Sequence, residues 1–193
     1  MKITANSPIN IILPSEPALC DLFAAEELQK YISAITGASF SHTADCTVII
    51  GGPARNPEAE AVISREEFDR LLTGEEGMLI IVKDERILIA GSEGKGDRGR
   101  GVIYAVYEFL ERYCGCNFAG YCAPEVKAGE IVPRGELDIP DGRYVKACAD
   151  LPYRTAIAEY GECAGEPEHR MNIPFFDWLV KNRYNRILTW SSV

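Results

Sequence analysis

No apolar run in this 193-residue chain reaches even half of the roughly 20 residues a membrane-spanning helix needs. The first seventeen residues also lack the apolar segment of a secretory leader. The expectation is a cytoplasmic chain, unless a leader has been removed from a longer precursor. Basic residues are scarce: 20 Lys and Arg face 29 Asp and Glu, a net charge of −9. Such a surface repels nucleic acid and anionic membrane, so neither is expected as a partner. Disulfide pairing is not signalled, because the seven cysteines (Cys20, Cys46, Cys114, Cys116, Cys122, Cys148 and Cys163) are odd in number and irregularly spaced. Cys114, Cys116 and Cys122 offer three thiols but not the two paired doublets that closed zinc sites favour, and His42 and His169 lie far off in sequence. Buried thiols acting as small hydrophobes are the reading, with no metal and no cofactor expected.

What the chain does have is core: 47% of it is apolar, enough for one domain and part of a second. Residues 9–13 read as a short strand ended by Pro14. Ser15 stands as a helix N-cap ahead of Glu16 and Pro17. Leu28, Tyr31, Ile32 and Ile35 share one face of that helix, and Gly37 closes it. Residues 48–50 form the next strand, so strand, helix and strand make a crossover unit. Phe68, Leu71 and Leu72 mark a short helix. Residues 78–82 and 86–90 are apolar strands joined by Lys83, Asp84 and Glu85 as a hairpin. The acid pairs Glu66-Glu67 and Glu75-Glu76 read as solvated surface, since adjacent helical residues point apart.

The stretch 87–121 organises the rest. A buried strand stops at Gly91, a glycine-rich loop follows, and Val102, Val106, Phe109, Leu110 and Tyr113 recur at helical spacing before Gly115 ends the helix. Gly101 and Ala105 leave a side-chain-free groove that either a sheet or a ligand could approach. Gly94, Gly96 and Gly99 spell the dinucleotide fingerprint, but no acid follows about 20 residues on. Asp97 stands where a phosphate loop needs Ser or Thr. A plain turn is the better reading, with a nucleotide-binding module kept as the alternative. Beyond the helix, Pro124, Pro133 and Pro140 mark an edge and linker region. A strand-like run over 144–157, an acidic loop, a helix over about 174–184 and an apolar strand over 186–190 complete the chain.

Several of these segments, GVIYAVYEFLERYCGCNFAGY, IVPRGELDIP and YVKACADLPYRTAI, together resemble the domain that precedes the catalytic barrel in certain glycoside hydrolases. These are the family 67 α-glucuronidases, the family 20 β-hexosaminidases and their relatives. The resemblance implies an α/β domain over 1–143, with a mixed, mostly antiparallel sheet carrying two main helices. The first strand-helix-strand of a truncated (β/α)8 barrel would follow over 144–193. It also implies a non-catalytic role, in which this domain supports the barrel and substrate cleft of a hydrolase acting on plant or bacterial oligosaccharides. Hydrolysis needs two carboxyl groups facing each other across the scissile bond, and the resemblance puts them beyond Val193.

Two residues carry the expected substrate contacts. Arg154 matches the arginine that ends the first barrel strand in the hexosaminidase pattern, where it holds sugar hydroxyls; a salt bridge to an acid such as Glu159 is the other reading. Trp190, after Asn182-Arg183-Tyr184-Asn185, resembles the N-x-h-x-W run of these families and either stacks on a sugar ring or fills core. The hexosaminidase pattern continues with His, whereas this chain reads Ser191-Ser192-Val193, which favours the glucuronidase-like relatives. Glu159, Glu162, Glu166, Glu168 and His169 fall in the first barrel loop and read as a solvated acidic loop. Asp84-Glu85 mimics the hexosaminidase catalytic pair but lies on a hairpin. A free-standing carbohydrate-binding or interaction domain, with Tyr104, Tyr107, Tyr113 and Tyr121 as stacking surface, is the remaining alternative. An unfinished barrel would also expose an apolar face able to form a homodimer.

Overall fold

The computed structural model describes residues 1–42, 44, 46–93, 99–119, 129–159 and 173–190; the side chains of 157–159, 189 and 190 are outside that description. Met1–Gly115 with Val132–Asp150 form one compact unit, and Cys116–Ile131 with Leu151–Val193 form another.

In the first unit, strands β2 (Ile9–Ile12), β3 (Cys46–Ile50), β4 (Met78–Lys83), β5 (Arg86–Gly91) and β7 (Gly142–Lys146) make a sheet ordered β2-β3-β5-β4-β7. β2, β3 and β5 run parallel, while β4 is antiparallel to both β5 and β7. A further antiparallel pair, β1 (Lys2–Ile3) with β6 (Leu137–Asp138), was not foreseen. The expected mixed sheet is therefore present, and antiparallel pairings prevail within this unit.

The sheet is covered on both faces, which is why β4 and β5 read as continuous apolar runs rather than alternations. Ile49, Leu79, Ile81, Leu88 and Ala90 pack with Ala59 of the 3-10 turn Pro57–Ala61, Phe68 of the following helix α2 (Arg65–Leu71), and Ile63 and Leu72 beside them. Val48, Ile50, Ile80, Val82, Ile87 and Ile89 alternate to the other face, where α1 (Leu19–Thr36) and α3 (Arg100–Cys114) lie side by side. Each such side chain removed from water contributes about 1.5–3 kcal/mol. Tyr107 and Glu27 join the two helices, the phenol donating to the carboxylate at 2.9 Å. Tyr104 and Tyr107 are thus packed, at 2% and 0% exposure, and Tyr113 stacks on Phe109. The stacking surface imagined for a carbohydrate-binding module is not made by these residues, and Tyr121 is outside the described residues.

What approaches the Gly101 groove is the sheet itself. A Cβ on Gly91 would lie 2.3 Å from the Val102 nitrogen, and one on Gly101 would lie 2.6 Å from the Gly77 carbonyl oxygen. Helix backbone therefore touches strand backbone at the end of β5. The hairpin turns through Asp84 and Glu85, both at positive φ, the conformation that two-residue turns of matching twist require.

Four expectations need correction. α1 begins at Leu19, not near Ser15, because the Asp21 carboxylate reaches back to accept the Ala18 N–H at 2.8 Å and so caps the helix. Glu76 is not solvated: it is 4% exposed and accepts from the Arg100 guanidinium at 2.6 Å. The single strand expected over 144–157 is two strands, β7 and β8 (Thr155–Glu159), in different sheets; Pro152, which lacks a ladder donor, lies between them. The last helix, α4 (Ile173–Lys181), stops earlier than expected, with Arg183 at φ 60 turning the chain into β9 (Arg186–Trp190).

In the second unit, β8 and β9 pair in parallel, Thr155 opposite Arg186 and Glu159 opposite Trp190. α4 connects them and packs Phe175 and Leu179 against Ala156 and Ile187. Lys181 is buried yet satisfied, donating to the carboxylates of Glu130 and Asp177. Burial alone would lower its pKa, but these two partners hold it above the ordinary lysine value.

Gly101→Ala is expected to cost about 1–3 kcal/mol, the usual price of overpacking, and Gly91→Ala more, because its added carbon meets backbone atoms at shorter distances, 2.3 and 2.4 Å. Urea denaturation measures both. Near-wild-type midpoints would show that helix and strand can separate without loss.

Candidate functional site

Two places warrant chemical scrutiny, one in each unit. In the first, the C-terminal ends of the parallel strands β2, β3 and β5 lead into loops beside the start of α1, where open α/β sheets usually bind ligands. The anion-binding groups of this edge are already engaged by the chain's own carboxylates. Asp21, fully buried, caps α1 and takes both guanidinium nitrogens of Arg55. Burial opposes the Arg55 charge, but the hydrogen-bonded Asp21 carboxylate outweighs it and raises the pKa. Glu93, at the end of β5, accepts from the Gly52 N–H at 2.8 Å and the Ala54 N–H at 3.2 Å, both in the loop after β3. Burial raises its pKa above the ordinary 4.5, although those N–H groups and Arg55 pull the other way.

Asn56 ties the same edge together. It is 1% exposed, and its amide donates to the carbonyls of Ile12 at 3.1 Å and Ile50 at 2.8 Å, joining the ends of β2 and β3. This donor set does not suit a pyrophosphate: the N–H groups that would cradle it hold carboxylates. Residues 94–98 of the glycine loop are outside the described residues, and Gly99 sits at φ 74 as the N-cap of α3.

The second place is the β8-β9 pair. Its two ends differ. At the N-terminal edge Arg154 immediately precedes β8, so it does not end that strand as expected. Its guanidinium donates to the carbonyls of Leu151 and Arg183, and its own N–H donates to the Asn185 side chain at 2.9 Å. Asn185 also donates through its amide to the Pro152 carbonyl at 2.9 Å. Arg154 therefore pins the starts of both strands. A bridge to Glu159 would have to span five residues of strand, roughly 16 Å at about 3.3 Å per residue.

At the C-terminal edge Glu159 and Trp190 stand opposite each other in register. The structure thus separates the two substrate-contact candidates, Arg154 and Trp190, to opposite ends of the pair. Residues 160–172, with Glu162, Glu166, Glu168 and His169, are outside the described residues, as is Cys122. The cysteines Cys114 and Cys116 are buried. Cys46 is too, and burial pushes its thiol up to about 11, which suits an inert packing role rather than a metal ligand. Asn185, Asn56 and Lys181 carry structural work that the sequence alone did not signal, since each acts on partners distant in sequence.

No family model matches the chain, and no curated protein matches it either. Solved structures do match. A family GH115 4-O-methyl-α-glucuronidase with specificity for decorated arabinogalactans superposes with a TM-score of 0.69 at 13% identity, over 98% of this chain and 26% of that one. A GH138 enzyme targeting pectin rhamnogalacturonan II gives 0.50 at 14% identity, over 96% of this chain and 19% of that one. A Streptomyces plicatus β-hexosaminidase gives 0.48 at 11% identity, over 97% and 30% respectively, too low to bear on the argument. At these identities the likeness is one of fold. The chain has a glycosidase-like fold and spans about a quarter of the length of the first of these structures.

A pH dependence follows from Glu93. Because its folded pKa lies above the ordinary value, the stabilising share is complete at low pH and is lost as pH rises through the folded pKa. Wild-type stability relative to Glu93→Gln should therefore decline with rising pH above about 4. Paired urea titrations across pH 3.5–7 test this, and the opposite slope would refute the raised pKa. Separately, Asn185→Ala should remove two side-chain hydrogen bonds, each worth about 0.5–1.5 kcal/mol, and raise amide exchange in β8 and β9 while leaving β3–β5 protected.

Proposed function

We propose that the chain is the α/β domain and first strand-helix-strand of a (β/α)8-barrel glycoside hydrolase, of α-glucuronidase-like character, acting on uronic-acid-bearing plant or bacterial oligosaccharides. The observation that carries this reading is the superposition on the GH115 enzyme across nearly the whole chain. In this reading the accessory part extends through β7, which joins the first sheet, and the barrel start begins with β8, so the boundary falls later than the 143/144 expected from the sequence. The role of the α/β domain is support: it holds the barrel and its cleft and performs no chemistry of its own.

The parallel β8-β9 pair agrees with this. Barrel enzymes act at the C-terminal ends of their strands, which is where Glu159 and Trp190 lie in register. Trp190 is assigned to stacking on a sugar ring. Arg154, at the opposite edge, is assigned to positioning the two strands rather than to holding hydroxyls. Leu188 is 56% exposed on the face turned from α4, the side that becomes interior when a barrel closes; in isolation that face would favour self-association. The pair of acids that hydrolysis requires comes, in this reading, from later barrel strands, and no cofactor is needed.

The test is to assay the whole gene product and the 193-residue chain side by side on aryl glycosides and uronic-acid-capped oligosaccharides. Cleavage by the longer protein alone is expected, with Trp190→Ala lowering kcat/KM by roughly tenfold or more, consistent with an aromatic contact of about 1 kcal/mol or above. Turnover by the 193-residue chain itself would overturn the assignment of a supporting role.

A further inference from the structure

A cavity of about 320 Å³ lies between the outer edge of β2 and α1 in the first unit. β2 is the outermost strand of its sheet, and its free edge is met at Ile9, whose N–H donates to the Ser39 carbonyl at 3.0 Å and whose carbonyl accepts from the Ser41 N–H at 2.8 Å. Strand periodicity turns the N–H and carbonyl groups of Ile11 and Leu13 toward that same edge, where both residues line the cavity.

The lining chemistry is selective. The amides of Asn10 and Gln29, the Ser41 hydroxyl and the His42 imidazole supply hydrogen-bonding groups, and Phe40 supplies a half-buried aromatic ring. Among the described lining residues there is no carboxylate, ammonium or guanidinium. The described lining thus offers a charged ligand no counter-ion to offset its lost hydration. The fitting ligand is neutral, bears several hydroxyl or amide groups and presents an apolar face to Phe40. A pyranose ring has all three properties. The volume is near the lower end of the about 300–1,000 Å³ typical of small-molecule sites, which suits one or two sugar units.

We propose that this groove is an accessory binding site for a neutral sugar unit, with Phe40 as the stacking platform and Asn10 and Gln29 as hydroxyl partners. The proposal goes beyond the barrel assignment and does not depend on which bond a longer protein cleaves.

Amide chemical-shift titration of the 193-residue chain tests it, with methyl β-galactoside, methyl β-xyloside and methyl α-arabinofuranoside as neutral probes. Glucuronate is the charged probe, and a short apolar strand-forming peptide is the competing occupant. The expected result is saturable shifts confined to residues around Ile11, Gln29, Phe40 and His42 with at least one neutral glycoside at millimolar concentration, and none there with glucuronate. Phe40→Leu keeps an apolar side chain at the site but removes the aromatic face, and should weaken binding about tenfold with an unchanged melting temperature. Gln29→Ala, on the helix surface, is a second variant expected to weaken binding several-fold. The proposal is overturned if no neutral probe shifts these amides at 100 mM, if glucuronate binds as well as they do, if only the peptide binds, or if Phe40→Leu binds like wild type. Activity of the whole gene product with an inert groove would sink this site and leave the barrel assignment standing; the reverse result would do the opposite.

Discussion

The contact between Gly91 and Gly101 sets the geometry on which the larger unit depends. With no side chain on either residue, the start of α3 rests directly on the end of β5. The consequences extend along both elements. Lying this close, α3 lays Val102, Val106, Phe109 and Leu110 in the buried layer over the sheet. The loop before β4 is drawn in as well: Gly77 and Ser92 exchange hydrogen bonds, with the Gly77 N–H donating to the Ser92 hydroxyl at 2.8 Å and the Ser92 N–H to the Gly77 carbonyl at 3.1 Å. Arg100, one residue ahead of Gly101, meets Glu76 from that same loop. Gly91 and Gly101, which flank the glycines that invite comparison with a nucleotide fingerprint, serve packing.

The same economy appears in the electrostatics. An acidic chain must either keep its carboxylates in water or give the buried ones donors, since an unpaired buried charge is costly. Among the described residues, the buried acids Asp21, Glu27 and Glu76 and the half-buried Glu93 each hold a junction. Asp21 closes the start of α1 and holds Arg55, Glu93 closes the loop after β3, Glu76 meets the start of α3, and Glu27 joins α1 to α3 through Tyr107. Positions where other α/β proteins receive an anionic ligand are filled internally. This is a physical reason to look elsewhere for function, and it turns attention to the groove beside β2 and to the C-terminal edge of β8 and β9.

Much of this was legible in sequence where the signal is local. The apolar runs of β3, β4 and β5, the helical spacing of α3, and the left-handed glycines Gly37 and Gly115 each act within a few residues, and periodicity finds them. The features missed depend on partners far away along the chain. Ser15 looked like the better cap for α1, but Asp21 won because Arg55, 34 positions on, fixes its carboxylate. Glu76 looked solvated because nothing adjacent announces Arg100. The run over 144–157 looked like one strand because strand propensity carries no information about which sheet a strand joins. As for the candidate site, the sequence marked Arg154 and Trp190, but only the pairing register shows that they occupy opposite ends of the same two strands.

That division of ends gives the second unit its logic. Two parallel strands and one helix bury little, so the pair must be held by more than its core. Among the described residues, holding groups gather at the N-terminal edge, where Arg154 and Asn185 engage the backbone on both sides and Arg186 lies over the Tyr153 ring at 3.8 Å. On the face turned from the strands' exposed side, α4 anchors through Lys181 and the aromatic stack of Phe175, Trp178 and Tyr184. Arg154 and Asn185 thus fix the strand starts, and the register set there carries through to the other end, where Glu159 and Trp190 stand opposite each other.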